Sequence, residues 1–145
     1  MTGVQTCALP ILFDGGLEWF EVPDSATTAD AQHAWSLIGG HVTDPAWTRD
    51  AGTFVTSGLG TGDKKSASGY SGSSGLVYKP HSSSITVDLA IFTADAVRVR
   101  WYDPTTGDYT NVGEFTTTGA QVVSHPGKNA SGQPDWVLVV EGLGP

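Results

Sequence analysis

Two periodicities divide the chain. From about Gly52 onward apolar and polar residues alternate: Ile85, Val87 and Leu89 with Thr86 and Asp88, then Val97, Val99 and Trp101 with Arg98, Arg100 and Tyr102. A period of two buries one face of a strand and leaves the other in water. Leu76 to Lys79 and Gln121 to Ser124 predict shorter strands, and Phe54-Val55 predicts the weakest. Trp136 to Val140 is apolar at every position, as a strand covered on both faces must be. Clusters of Gly, Ser, Asp and Pro separate these runs. The sharpest is Asp103-Pro104-Thr105-Thr106-Gly107: Pro fixes φ at the second turn position, and Gly takes the left-handed position that closes a bulged hairpin. Seven or eight short strands at this spacing predict an all-β chain, an antiparallel β-sandwich. Ser66 to Gly75 is low in complexity and reads as a loop or a weak edge strand.

Before Gly52 the period is helical. Ala31, Ala34, Trp35 and Ile38 share one face, Thr27 and Asp30 stand at capping-box spacing, and Gly39-Gly40 offers a stop. The spacing predicts one helix over residues 28–38. Trp19, Phe20, Trp35, Ile38 and Trp47 present more apolar surface than so short a segment buries by itself, so they are expected to pack on something else. Residues 1–11 resemble the conceptual translation of a sequencing adapter and are set apart from the fold. The expected organisation is therefore that terminal segment, a helix-and-linker segment over residues 12–51, and a sandwich over residues 52–145.

Charge narrows the function classes. With 7 basic and 15 acidic residues the formal charge is −8, which argues against nucleic acid and against a polybasic membrane-surface binder. No apolar run of about 18 residues is present to span a bilayer. The lone cysteine, Cys7, has no internal partner for a disulfide. Catalytic signals are weak. The acids sit at turns or beside Gly and Pro, where capping explains them. His33, His41, His81 and His125 lack zinc-helix spacing, and no nucleophile elbow occurs. Gly58-Leu59-Gly60-Thr61-Gly62 has no following helix to hold a phosphate. Asp103 and Asp108 flank a turn in a way calcium could use, yet the hairpin alone explains both. No metal or cofactor is expected. Asn129-Ala130-Ser131 fits the N-glycosylation pattern. Aromatic and cationic residues offer the remaining chemistry. By strand parity Arg98, Arg100 and Tyr102 share the outward face, with Tyr109 across the hairpin. Such a strip is either a ligand surface or a cross-strand ladder.

Three pieces of the C-terminal half carry a family resemblance: Leu76-Val77-Tyr78-Lys79-Pro80 with Ile85 to Leu89; Val99-Arg100-Trp101-Tyr102-Asp103-Pro104 through Gly107; and Pro126-Gly127-Lys128-Asn129 leading to Asp135-Trp136-Val137-Leu138-Val139. In this order they resemble the "putative collagen-binding domain of a collagenase", a C-terminal β-sandwich that follows a TIM-barrel catalytic domain in bacterial apiosidase-like glycoside hydrolases. The resemblance covers about residues 52–142. It implies a secreted, non-catalytic accessory domain whose partner is an N-terminal catalytic barrel, with residues 12–51 as the last helix and linker of that barrel. The family's catalytic acids lie on barrel strands, so none is carried over to this chain. The alternative implied by the family's description is a carbohydrate- or collagen-binding module, with Arg98, Arg100, Tyr102 and Tyr109 as its candidate ligand residues. Because residues 1–11 were not selected to pack, their deletion is expected to leave the thermal unfolding midpoint unchanged. A fall worth more than about 1 kcal/mol would place them in the fold.

Overall fold

A computed structural model describes residues 25–144. Helix α1 (Ser25–His41) precedes nine strands among the described residues: β1 (Thr48–Arg49), β2 (Val55–Ser57), β3 (Ala67–Tyr70), β4 (Ser74–Lys79), β5 (Ile85–Asp88), β6 (Ala96–Tyr102), β7 (Tyr109–Thr116), β8 (Ala120–Val123) and β9 (Trp136–Gly142). They form a six-stranded sheet in the order β1-β3-β4-β9-β6-β7 and a three-stranded sheet in the order β2-β5-β8. All pairings are antiparallel. The predicted β-sandwich is the observed architecture.

Strand β9 sits at the centre of the large sheet, between β4 and β6. Its alternate residues enter two different cores. Trp136, Leu138 and Val140 join Val77, Val97, Val99, Trp101, Phe54, Ile85 and Val87 between the sheets. Val137 and Val139 face the other way and pack with Leu76, Tyr102, Leu37 and Ile38 beneath α1. A run apolar on both faces thus has a cover on each, at about 1.5–3 kcal/mol for each large side chain removed from water.

The helix departs from its predicted bounds. It already includes Ser25, so Thr27 lies inside it, and it runs through Gly39-Gly40 to His41. A glycine costs a helix interior up to about 1 kcal/mol. The buried face Ala34, Leu37, Ile38 and His41 continues across the glycines, and its packing outweighs that cost. Trp19 and Phe20 lie outside the described residues. Of the other large side chains in this segment, Ile38 is buried, Trp47 is half-buried against the second core, and Trp35 stays 43% exposed.

Of the two readings of Ser66 to Gly75 the strand is the one observed: it forms β3, next to the edge strand β1, and the start of β4. Its small residues are what the packing requires. A side chain at Gly69 would meet the Trp47 indole at 2.8 Å, and one at Gly75 would meet the Phe54 ring at 2.7 Å. Phe54 in turn packs edge-on to Phe92 and tilted against Tyr70, with centroids 5.5 and 6.0 Å apart. Between β1 and β2 the chain is held by one carboxylate. Asp50 Oδ1 accepts from the amides of Gly52, Thr53 and Phe54, and Oδ2 accepts from the Val55 amide and the Ser68 hydroxyl. Burial alone would raise its pKa; the donors, Phe54 and Val55 foremost, more than offset this and lower it. Asp50→Asn would turn an NH₂ group toward amide donors and remove the charge. It is expected to cost about 2 kcal/mol, as charged hydrogen bonds of this kind do. Chemical denaturation checks this, and an unchanged midpoint would show that the five donors find other acceptors.

Candidate functional site

Strand β6 sorts the predicted ligand strip as its parity requires. Val97, Val99 and Trp101 point between the sheets, while Arg98, Arg100 and Tyr102 lie opposite Glu141, Val139 and Val137 on the outer face. What occupies that outer face differs from residue to residue. Arg98 is exposed and donates to Glu114 Oε1 at 3.3–3.4 Å. Arg100 pairs with Glu141 and lies 3.9 Å above the centre of the Tyr109 ring. Tyr102 is only 4% exposed, because α1 covers it. Its hydroxyl donates to the His33 carbonyl at 2.9 Å, and its ring meets Tyr109 edge-on at 5.0 Å. Burial, with Tyr109, Asp103 and Asp108 adding to it, pushes the Tyr102 phenol up to about 12. Tyr109 remains 41% exposed at the rim. The four residues are therefore adjacent, with the strip closed at Tyr102 and open at Tyr109 and Arg98.

The helix is also fixed to the hairpin after β6. His33 Nδ1 donates to the Pro104 carbonyl at 3.0 Å. Gly107, at φ +79°, takes the left-handed turn position that the sequence predicts. The Asp103 carboxylate accepts from the Thr105 amide and hydroxyl and from the Ala130 amide, so those bonds explain it without an ion. Among the described residues, no three His, Cys, Asp or Glu side chains gather as a metal site. Asn129 is 6% exposed. Its Nδ2 donates to the Asp135 carbonyl and carboxylate, and its Oδ1 accepts from Ser131 and Gln133. The amide that glycosylation would modify is thus committed inside the loop.

A second group of polar residues is missed by the sequence reading. On β4, Lys79 shares the inward parity of Val77, and it is fully buried. Its ammonium donates to the Gly58 carbonyl (2.8 Å), Ser83 Oγ (2.8 Å) and His81 Nε2 (3.2 Å). Desolvation lowers its pKa. His125, tilted against the Trp101 ring, accepts from the Gly127 amide at Nδ1 and donates from Nε2 to the Pro134 carbonyl. Continuing the β4 alternation to Lys79 would have flagged it, but a lysine at a strand's end reads as a solvated terminus.

Three histidines are held neutral by this geometry. Burial is the first cause in each case and lowers the pKa of His41, His81 and His125 below the ordinary 6.5. For His41, Glu141 opposes the shift and Arg100 adds to it. Lys79 and Lys64 add to it for His81; for His125 the Pro134 carbonyl opposes it while Lys79 and His81 add. Groups that bind protons less readily when folded make stability rise with pH. Their contribution is complete above 6.5 and is lost as pH falls through the lowered folded values. Asp135, raised mainly by burial, acts in the opposite sense in the carboxylate range. The thermal midpoint is expected to hold from about pH 8 to about pH 7 and to fall between about pH 6.5 and 5. A midpoint that rises on acidification across that window would contradict this.

No curated protein matches the chain. Among solved structures it is similar to a glycoside hydrolase (19% identity, TM-score 0.69, covering 88% of this chain and 28% of that one). It is also similar to a glycoside hydrolase family 5 protein from Bacteroides vulgatus ATCC 8482 (19% identity, TM-score 0.68, covering 86% and 26%). At this identity the likeness is one of fold. The chain spans about a quarter of the length of these proteins. Residues 55–141 match the family described as "Putative collagen-binding domain of a collagenase", and the chain belongs to that family.

Proposed function

We propose that the chain is a non-catalytic C-terminal accessory domain of a secreted bacterial glycoside hydrolase, packed against its catalytic barrel and stabilising it. The observation that carries this reading is the second core. The outer face of the large sheet is apolar at Leu76, Tyr102, Val137 and Val139 and is buried under α1, and the chain is similar in fold to two glycoside hydrolases of which it spans about a quarter. In this reading α1 is the last element of the barrel, and Trp35 on its exposed side faces the rest of it. Domain boundaries follow the same logic: residues 12–51 form the junction and residues 52–145 the accessory sandwich.

Glycoside hydrolysis needs two carboxyl groups facing each other across a cleft. Several of the described acids are instead bound to amides, hydroxyls or arginines: Asp44, Asp50, Asp88 and Asp103 at turns, Glu114 and Glu141 in ion pairs. This supports a non-catalytic role. The alternative, a carbohydrate- or collagen-binding module, draws its support from Tyr109, which is exposed and braced by Arg100.

Two measurements separate these readings. The gene that encodes this segment is expected to continue upstream into a barrel. Removing residues 52–145 from that longer product should lower its thermal midpoint by several degrees while leaving kcat nearly unchanged; an unaltered midpoint would refute the stabilising role. On the chain itself, Tyr109→Ala should preserve the fold, and no retention on insoluble polysaccharide or collagen is expected before or after the change. Retention that disappears with this variant would favour the binding module.

A further inference from the structure

The chain is acidic overall, yet one pair of loops concentrates positive charge. The loop over residues 58–66 carries Lys64 and Lys65, both exposed, next to Asp63, and the loop over residues 80–84 carries His81 and Ser83 above the buried Lys79, so three lysines stand against one acid there. The two loops touch closely. Gly58 and Gly60 have φ of +89° and +73°, and a side chain on them would collide with the Ser84 carbonyl and with the His81 ring. Among the described residues, none of Lys64, Lys65 and Lys79 is in an ion pair. Two other carboxylates nearby are engaged elsewhere: Asp135 holds Asn129, and Asp103 holds Thr105 and Ala130. Lys79 itself is held by neutral acceptors only, so its charge adds to that of the two exposed lysines.

The hydrogen bonds also fix a direction. Lysine has donors only, so His81 Nε2 must accept from Lys79. The proton of His81 is then on Nδ1, where it donates to Ser83 Oγ at 3.0 Å. Ser83 Oγ already accepts from Lys79 at 2.8 Å. With both lone pairs used, the Ser83 hydroxyl proton is left to point away from the network, on an exposed residue. Two successive donors, one of them cationic, polarise that O–H and strengthen it as a donor.

We propose that this loop pair binds an acidic polysaccharide, with a uronate carboxylate or a sulfate ester accepting from the Ser83 hydroxyl in the field of Lys64, Lys65 and Lys79. The anion site stands on the loop geometry; the choice of a polysaccharide rests on the glycoside hydrolase reading. A nucleic acid needs a broad basic surface for its phosphates, which a chain of net charge −8 does not offer.

Affinity electrophoresis of the full chain tests this with polygalacturonate, κ-carrageenan, neutral galactan and single-stranded DNA. Polygalacturonate or κ-carrageenan should retard the protein, galactan should not, and the retardation should weaken with added salt. Whichever of the two retards more strongly identifies the carboxylate or the sulfate as the group recognised. Lys64→Gln combined with Lys65→Gln should weaken binding on the order of tenfold, and Ser83→Ala by about fivefold. Ser83→Ala also removes an acceptor from Lys79; if that variant unfolds, the double lysine variant, whose side chains are exposed, decides alone. Equal mobility in all four gels, retardation indifferent to the lysine changes, or DNA retarding as strongly as the polysaccharides would overturn the proposal. The stabilising role is read from the thermal midpoint of the longer product, so either idea can fail without the other.

Discussion

Everything in this structure is arranged around one strand that water cannot touch on either side. Trp136 to Val140 are all buried, and a central strand of that kind demands two covers. The three-stranded sheet supplies one. On the other side a bare sheet face would show Leu76, Tyr102, Val137 and Val139 together, and α1 is what removes them from solvent. The helix is therefore part of the core and not a tether leading into it. The join is secured by polar contacts that no sliding helix could keep. Tyr102 donates to the His33 backbone, and the His33 ring donates to the Pro104 carbonyl. One helical residue thus meets both β6 and the hairpin that follows it.

Most of the strands were legible because half-buried strands write a period of two into the sequence. Those that were not legible fail for stated physical reasons. Strand β7 is an edge strand, largely exposed on both faces, so it carries no hydrophobic alternation to read. Strand β3 is hidden by small residues chosen for the aromatic rings laid on them, and only the fold shows that Trp47 covers Gly69. The helix overran its glycine stop because tertiary packing outweighs local propensity. In the candidate strip, parity placed Arg98, Arg100 and Tyr102 on one face. Parity cannot say what covers that face, since the cover comes from a residue 69 positions away.

The two polar groupings on the sandwich have opposite electrostatic characters. Beside the helix, charge is internally balanced: Glu141 bridges Arg100 and His41, and Arg100 also rests on the Tyr109 ring. Little field is left over, which suits a packed junction. At the loops over residues 58–66 and 80–84 Lys64, Lys65 and Lys79 outnumber Asp63, and Lys79 is satisfied by neutral acceptors only. Hydrogen bonds to neutral groups solvate an ammonium without cancelling it, so that end keeps a positive potential.

This contrast bears on what one small domain can do at once. A face that is buried to hold a neighbouring element cannot also be open to a polymer, and Tyr102 shows that the outer face of β6 is committed at its centre. Any recognition must then use what the junction leaves uncovered. The register places the ends of β4 and β6 and the start of β9 together, since Lys79 lies opposite Trp136 and Tyr102 opposite Val137. The loops there are tied to one another without being buried: the Asp103 carboxylate ties the hairpin to the Asn129 loop, and Lys79 ties the Gly58 loop to Ser83. Preorganised loops lose little freedom when a ligand arrives. On the proposed reading, the sheet face serves the junction with the barrel while the loop end remains charged and accessible.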